Sequence, residues 1–513
     1  MASDAELAAE DKRADHENRL GSTEETIEES PSHRWWALAV IAIAQLMVVL
    51  DGTVITIALP SAQRDLHISN ADRQWTITAY TLAFGGLLLL GGRIADYLGR
   101  KRIFLVGLLG FAAASALGGA AQNGATLFGA RALQGLFAAL LAPAALSLIT
   151  VTFTEVKERA RAFAIYGAIS GGGAAIGLIL GGALTEYASW RWCLLINVPI
   201  AIGAVIAGTI LVTESKASKP AGGSSYDIPG AILGTAGLVA LVYGFTQAAK
   251  PGVGWLSVET ISYLAGAAIL LTAFVLVELR SASPLLPMRV VFDRNRGGTY
   301  LASLLTFAGL FAMFLFLSYY FQYNLGYSAL KSGVAFLPFS VGIIVTSGVV
   351  SGLLPRTGPK PHMLIGLALA AIGLVTFTFI SDTSSWVTTV LPGELLMSVG
   401  LALVFVPLSS LALTGVDDDD AGVASAVLNS TQQIGGSLGT SLLNTFYASA
   451  VSSYVVAHHL SPSRFNPLAA IHGYHVAFWI GVGLIAAAFV AVLVFVNAAK
   501  DDVTAQPAVP ADA

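Results

Sequence analysis

Apolar residues run in stretches of twenty or more along almost the whole chain, broken only by short polar segments. A helix needs about 20 mostly apolar residues to cross a bilayer core. On that rule the pattern predicts fourteen spans, near residues 35–59, 72–92, 102–121, 125–150, 161–184, 190–212, 228–248, 258–279, 298–322, 332–354, 362–381, 388–414, 422–451 and 474–497. An even number returns both termini to one side. Residues 1–32 hold ten Asp or Glu and no apolar run, so they read as a disordered acidic tail. The stretch 500–513 reads as a second tail. No charged-then-apolar segment ends in a small-residue cleavage site, so the first apolar run is expected to stay in the protein.

Composition and charge sharpen this into an all-α integral membrane protein. Of 513 residues, 55% are hydrophobic and 11% charged, against about 25% charged in a soluble domain. Net charge is −4, and its distribution says more than its sum. With a cytoplasmic N-terminus, loops and tails assigned inside carry 20 of the 27 Lys and Arg; those outside carry Arg64, Arg73, Arg191, Lys250, Lys331 and Arg464. Cytoplasmic loops are enriched in Lys and Arg, which sets both termini inside. The one cysteine, Cys193, permits no internal disulfide and reads as packing.

The spans divide as six, two and six. The segment Ser351 to Lys360 echoes Gly92 to Lys101, with Gly358 matching Gly99, and parallel repeats of six-helix halves are a known transporter plan. The expected units are the tail 1–32, a first half at 33–213, an inserted helix pair at 214–280, a second half at 281–499 and the tail 500–513.

Several local patterns resemble one family. Span 1 carries Leu50-Asp51-Gly52-Thr53-Val54-Ile55-Thr56-Ile57-Ala58-Leu59-Pro60, and the loop after span 2 reads Gly92-Arg93-Ile94-Ala95-Asp96-Tyr97-Leu98-Gly99-Arg100-Lys101. Span 4 has Leu127, Arg131, Gln134 and Gly135 in register. Span 5 supplies Gly177-Leu178-Ile179-Leu180-Gly181-Gly182, followed by Trp190-Arg191-Trp192 and Asn197-Val198-Pro199; span 13 runs from Asn429 to Gly439 with Gln432-Gln433. Together, in order and on the expected helices, these resemble the fourteen-helix drug:proton antiporters of the major facilitator superfamily. The chain departs from that family at Thr56, where Asn is usual, and at Leu178, where Pro is usual, so this last motif leaves symport open.

The polar residues within spans carry the expected chemistry. A charged, unpaired Asp at mid-helix costs about 2.5–3.5 kcal/mol on insertion scales, so Asp51 must face a partner or a cavity, or hold a proton. Counting 1.5 Å per residue from the outer helix ends sets Arg131 at a similar depth, and Gln134 one turn along completes a proton switch. A fixed structural ion pair is the alternative. Gly92, Asp96, Gly99, Arg100 and Lys101 read as a conformational latch, with Gly99 allowing a tight turn. Asp96 would lie near the start of span 3, and Arg100 and Lys101 would pair across the halves, where Asp417 to Asp420 are available. Part of that cluster serves orientation on the other reading. The glycines of span 5 allow close helix packing; a gating role for Gly177, Gly181 and Gly182 is implied by the resemblance. Gln134, Glu394, Asn429 and Gln433 are the expected substrate-cavity residues, Glu394 doubling as a second protonation site or a shallow interfacial acid. Tyr319, Tyr320, Phe321 and Tyr323 read as interfacial anchors, and His458, His459, His472 and His475 as a solvated loop.

No phosphate-binding Gly-x-x-x-x-Gly-Lys-Ser/Thr loop, metal cluster or nucleophile constellation is present, so no enzyme activity and no cofactor is expected, with a proton gradient as the energy source. The expectation is efflux of amphipathic drugs by alternating access in a bacterial cytoplasmic membrane, as a monomer contacting substrate, protons and lipid but no nucleic acid. Rivals are a dedicated exporter of an endogenous antibiotic, siderophore or lipid, a proton symporter, and a sensor or flippase.

Overall fold

The computed structural model describes residues 31–214, 227–250, 252–281, 284–416, 418–461 and 466–498. Most of both expected tails, part of the loop before the inserted pair, and Asp417 lie outside them. Fourteen long helices follow in order: α1 Pro31–Asp65, α2 Trp75–Leu98, α3 Arg100–Gly119, α4 Gly124–Thr152, α5 Val156–Tyr187, α6 Asn197–Leu211, α7 Ile228–Ala248 and α8 Val258–Arg280, then α9 Arg294–Tyr319, α10 Leu337–Thr357, α11 Pro359–Phe377, α12 Leu391–Leu413, α13 Asp418–Ala457 and α14 Pro467–Phe495. Thirteen spans among the described residues are long and apolar enough to cross a membrane. The exception, α13, has the length at 40 residues, but its polar positions, including Asn429, Gln432, Gln433 and Asn444, dilute it.

Local chemistry sets many of the ends. Asn123, Asp227, Ser257, Asp293 and Asn466 each accept a hydrogen bond from the backbone N–H three residues on, capping α4, α7, α8, α9 and α14. The end of span 1, expected near residue 59, differs from expectation. Helix α1 runs through Pro60 to Asp65, because one lost backbone bond is tolerated where neighbouring helices hold the segment. His472 and His475 lie in α14 rather than in a loop, and His475 Nε2 sits 2.7 Å from the Ile380 carbonyl oxygen.

Packing repeats between the two sets of six. In the first, α5 lies on α1, α4 on α2 and α3, and α6 on α3; in the second, α13 lies on α9, α12 on α10 and α11, and α14 on α11. The echo seen in the sequence is a shared joint. Gly99 (φ 105°) separates α2 from α3, and Gly358 (φ 78°) separates α10 from α11; a positive φ suits glycine and strains other residues. The inserted α7 and α8 pack on each other, and α7 lies against both α2 and α13. Gln74 of α2's leading turn donates to Thr246 Oγ1 (2.8 Å), and Thr445 Oγ1 of α13 donates to the Phe245 carbonyl (2.8 Å). The pair therefore spans the seam between the halves.

The two ends of the bundle differ. At the end marked by the α1–α2 loop, here the Asn70 end, hydrogen bonds join the halves directly: Asn444 Nδ2 to the Asn70 carbonyl (2.9 Å), Gln322 Nε2 to the Ile57 carbonyl (3.0 Å), the Leu330 N–H to Glu186 Oε2 (3.0 Å), and Tyr319 to Gln63. At the opposite, Gly99 end, Arg93 donates to the Pro284 carbonyl on the segment leading into α9. Tyr319, Tyr320 and Phe321 are buried in the second-half core rather than anchored at an interface. The Tyr320 and Phe321 rings pack on each other and on Tyr474 and Phe336, and Tyr319 stacks on Tyr323, so their level in the membrane misled the reading of their role.

Candidate functional site

Asp51, Arg131 and Gln134 meet, and the network is larger than the sequence indicated. Asp51 Oδ2 accepts from Arg131 Nη1 at 2.5 Å, while Oδ1 accepts from Gln134 Nε2 and Asn197 Nδ2, each at 2.9 Å. Arg131 Nη1 also donates to Gln134 Oε1 (2.8 Å) and Nε to the Thr76 carbonyl (2.9 Å); its Cζ lies 4.4 Å from the centre of the Tyr80 ring. Gln134 Nε2 reaches Ser115 Oγ at 2.7 Å. Five helices, α1, α2, α3, α4 and α6, thus converge on one ion pair whose two members are each 1% exposed. Burying two charges is costly unless their attraction and further hydrogen bonds offset the lost hydration. Here both carboxylate oxygens and three guanidinium bonds are engaged.

The local sequence explains the geometry. Arg131 and Gln134 are three apart on α4 and share a face. Asn197 is the first residue of α6, after the single turn Trp192–Leu195, which aims its amide back at α1. Asn197, Ser115, Thr76 and Tyr80 were missed as members of this cluster. Asn197 had one signal, its place in the Asn197-Val198-Pro199 segment that carries the family resemblance; Ser115 and the Thr76 carbonyl had none.

The four expected cavity residues do not share a wall. Gln134 is buried in the Asp51 network. Glu394, in the first turn of α12, is fully buried with no hydrogen-bond partner on either carboxylate oxygen, so its carboxylate does not open to a cavity. Asn429 is exposed and donates to the Ser425 carbonyl one turn back. Gln433 sits where α13 crosses α2, close enough that a Cβ on Gly85 would lie 2.9 Å from its own. One apolar groove of about 330 Å³, between α1 and α5, is lined by Trp35, Leu38, Ala42, Ile43, Ile165 and Ile169 among others, away from all four.

Arg100 and Lys101 bond within the first half rather than across the halves, and it is Arg93 of the same segment that reaches the second half, at the Pro284 carbonyl. Asp96 lies in the last turn of α2, not at the start of α3, and pairs with Arg100 at 3.1 Å. Glu214, past the end of α6, accepts from the Lys101 and Arg102 backbone N–H groups (3.2 and 3.3 Å), while Lys101 Nζ donates to the Thr209 carbonyl at 2.8 Å. A carboxylate at the start of α3 is where the helix dipole favours one, and Glu214 fills that place. A Cβ on Gly99 would lie 2.8 Å from Glu214 Oε1, so the glycine also makes room for the cap. Gly92 lies against Pro143 of α4, where an added Cβ would find ordinary contact at 3.5 Å. Asp417 lies outside the described residues, as do the side chains of Asp418 to Asp420.

The span-5 glycines divide by direction. A Cβ on Gly177 would meet Thr53 Oγ1 at 1.9 Å and one on Gly181 the Val54 carbonyl oxygen at 2.8 Å, both on α1. Gly182 faces the other half, where an added Cβ would lie 2.6 Å from Leu330 Cα, and one on Gly333 would lie 2.2 Å from the Leu178 carbonyl oxygen. Gly182→Leu is therefore expected to separate the halves at the Asn70 end and lower the transport rate about tenfold or more, given an overpacking cost of about 1–3 kcal/mol. Gly172→Leu, with nothing within 4 Å, is expected to leave the rate near wild type; initial rates in membrane vesicles, normalised to protein, make the comparison.

Comparison with known proteins follows the same lines. The family model described as Major Facilitator Superfamily matches residues 41–440. The chain is 50% identical over 455 residues to puromycin resistance protein pur8 of Streptomyces alboniger, covering 88% of this chain and 89% of that one. It is 41% identical to cephamycin export protein CmcT of Amycolatopsis lactamdurans, covering 81% and 85%. Among solved structures, a bacterial homologue of the human lysosomal transporter Spinster, inward-facing and unoccupied, superposes with TM-score 0.63 at 15% identity over 91% of this chain and 98% of that one.

Proposed function

Because the chain belongs to the major facilitator superfamily, we propose that it is a proton-driven exporter of amphipathic organic compounds, with puromycin-like molecules as the first class to test. The observation that carries the reading is a buried, fully bonded carboxylate–guanidinium pair in a chain half identical to a puromycin resistance protein. The Gly99 end, rich in Lys and Arg at Arg100 to Arg102 and Lys157 to Arg161, is assigned to the cytoplasm by the positive-inside rule, with both termini there and the protein working as a monomer. Hydrogen bonds joining the halves gather at the Asn70 end, which supports a state closed toward the outside.

In this scheme Asp51 is the proton carrier. The charge on Asp51 is what holds Arg131, so a proton gained or lost there changes the tie between α1 and α4. A proton arriving at Asp51 from outside weakens the hold on Arg131 and leaves Gln134 and Asn197 as neutral partners. Release of that proton to the cytoplasm restores the pair, and substrate leaves in the opposite direction. The latch segment, capped by Glu214, stiffens the α2–α3 joint during the swing. The second reading, a dedicated exporter of one endogenous product, is favoured by the likeness to a cephamycin export protein. Expressing cells should accumulate less puromycin than controls, and a protonophore should abolish the difference. Equal accumulation by well-expressed protein, with or without the protonophore, would count against broad drug export.

A further inference from the structure

Arg73 reads as a loop cation in the sequence, following Asp72 just before α2, yet it is 1% exposed. It belongs to the first half, and its side chain is held by the second. Its Cζ lies 4.1 Å from the centre of the Tyr319 ring of α9 and 4.7 Å from that of Tyr447 of α13. Its Nε donates to Asn444 Oδ1 of α13 at 2.9 Å, and Asn444 returns a bond from Nδ2 to the Asn70 carbonyl. No carboxylate pairs with it among the described residues; the groups around its charge are the tyrosines Tyr319, Tyr447 and Tyr474. The cage walls are themselves braced. Tyr319 is hydrogen-bonded to Gln63 of α1 and stacked on Tyr323 (5.7 Å), while Tyr447 stacks on Phe316 (5.3 Å) and Tyr474 (5.2 Å).

We propose that Arg73 is the gate residue of the Asn70 end: its guanidinium, caged between Tyr319 and Tyr447, holds that end shut, and opening requires its withdrawal from the cage. The physics favours a two-state device. An unpaired buried cation is expensive unless its surroundings compensate, and desolvated cation–π contacts are among the few neutral surroundings that do so. Once the helices part by a few ångströms the rings are lost together and water takes over the charge, so intermediate openings gain from neither arrangement. The aromatic side needs the ring faces and no ionisable partner. A gate of this kind therefore keeps its strength whatever the protonation state of Asp51.

The test is an accessibility measurement that needs neither a transported compound nor a proton gradient, so its failure is separate from failure of the efflux reading. In a Cys193→Ala background, Thr440→Cys sets a reporter on α13 one turn below Asn444 at a buried position, and Ala138→Cys in a second preparation is a control within the first-half core. Sealed membranes exposing the Asn70 end are treated with an impermeant maleimide. Arg73→Ala and Tyr447→Leu are expected to raise labelling of the Thr440 reporter about tenfold, the change one desolvated cation–π contact supports. Tyr447→Phe, which keeps the ring, should label like the parent. Unchanged labelling in Arg73→Ala would overturn the gate. So would a rise in Tyr447→Phe as large as that in Tyr447→Leu, which would make the hydroxyl the holding group. A parallel rise at the Ala138 control would also overturn it, since the arginine would then be holding the fold rather than an opening.

Discussion

Asp51→Asn is expected to abolish uphill, proton-driven efflux while leaving energy-independent substrate exchange across the membrane intact. Asparagine has the shape of the protonated acid and cannot take or give the proton. Its carbonyl oxygen keeps the acceptor role that Oδ1 plays toward Gln134 and Asn197, so the five-helix convergence has a route to survive. The ion pair with Arg131 is lost, and with it the difference between the two charge states. Coupling between two bound species is typically about 5–150-fold in affinity, and the accumulation ratio in energised vesicles should fall by that order. Counterflow of labelled substrate, measured with no gradient, should persist. Loss of both activities in well-folded protein would instead assign Asp51 a fixed structural role.

Arg131→Met should do more harm to the protein itself than Asp51→Asn. It leaves Asp51 buried with two neutral donors and no opposing charge, and it removes the anchor to the Thr76 carbonyl and the contact with the Tyr80 ring. Removing one partner of a buried pair costs about 3–5 kcal/mol. The double variant Asp51→Asn/Arg131→Met removes the stranded charge and is expected to recover a large part of that loss. Thermal unfolding in detergent of the two single variants and the double makes the cycle. Strict additivity of the two losses would mean that the pair does not act as a unit.

How much of this was legible in the sequence depends on the range of the force involved. Bilayer thickness acts on every twenty-residue window, and the fourteen spans, including the polar α13, could be located from the apolar runs. The Asp51–Arg131 meeting was legible because two charges in apolar helices must find each other, and 1.5 Å per residue sets both at one depth. Asn197 and Ser115 were not legible as partners, since neutral polar groups are common in membrane helices and declare no address. Arg73 was misread because its neighbours, Asn70, Asp72 and Gln74, are those of a loop, while its surroundings come from residues hundreds of positions away. Tyr319 and Phe321 were misread in the opposite way, for aromatic residues near a helix end serve equally as anchors or as core. Arg100 was expected to pair across the halves, but its partner is Asp96, four residues back on the other side of the Gly99 turn, and Glu214, which closes the joint, sits more than a hundred residues further on. The polar ties by which α7 bridges α2 and α13 are hydroxyls of Thr246, Ser441 and Thr445, single atoms within largely apolar stretches.

The central claim is that outward movement of an organic substrate is paid for by inward movement of protons through Asp51. Its most direct measurement uses purified protein in liposomes with a trapped pH-sensitive dye and no other ion gradient. Adding puromycin to the face at the Gly99 end should drive protons out of the opposite compartment toward the substrate, at a rate that Asp51→Asn abolishes. Puromycin movement with no dye response, or a proton movement in the same direction as the substrate, would contradict the account.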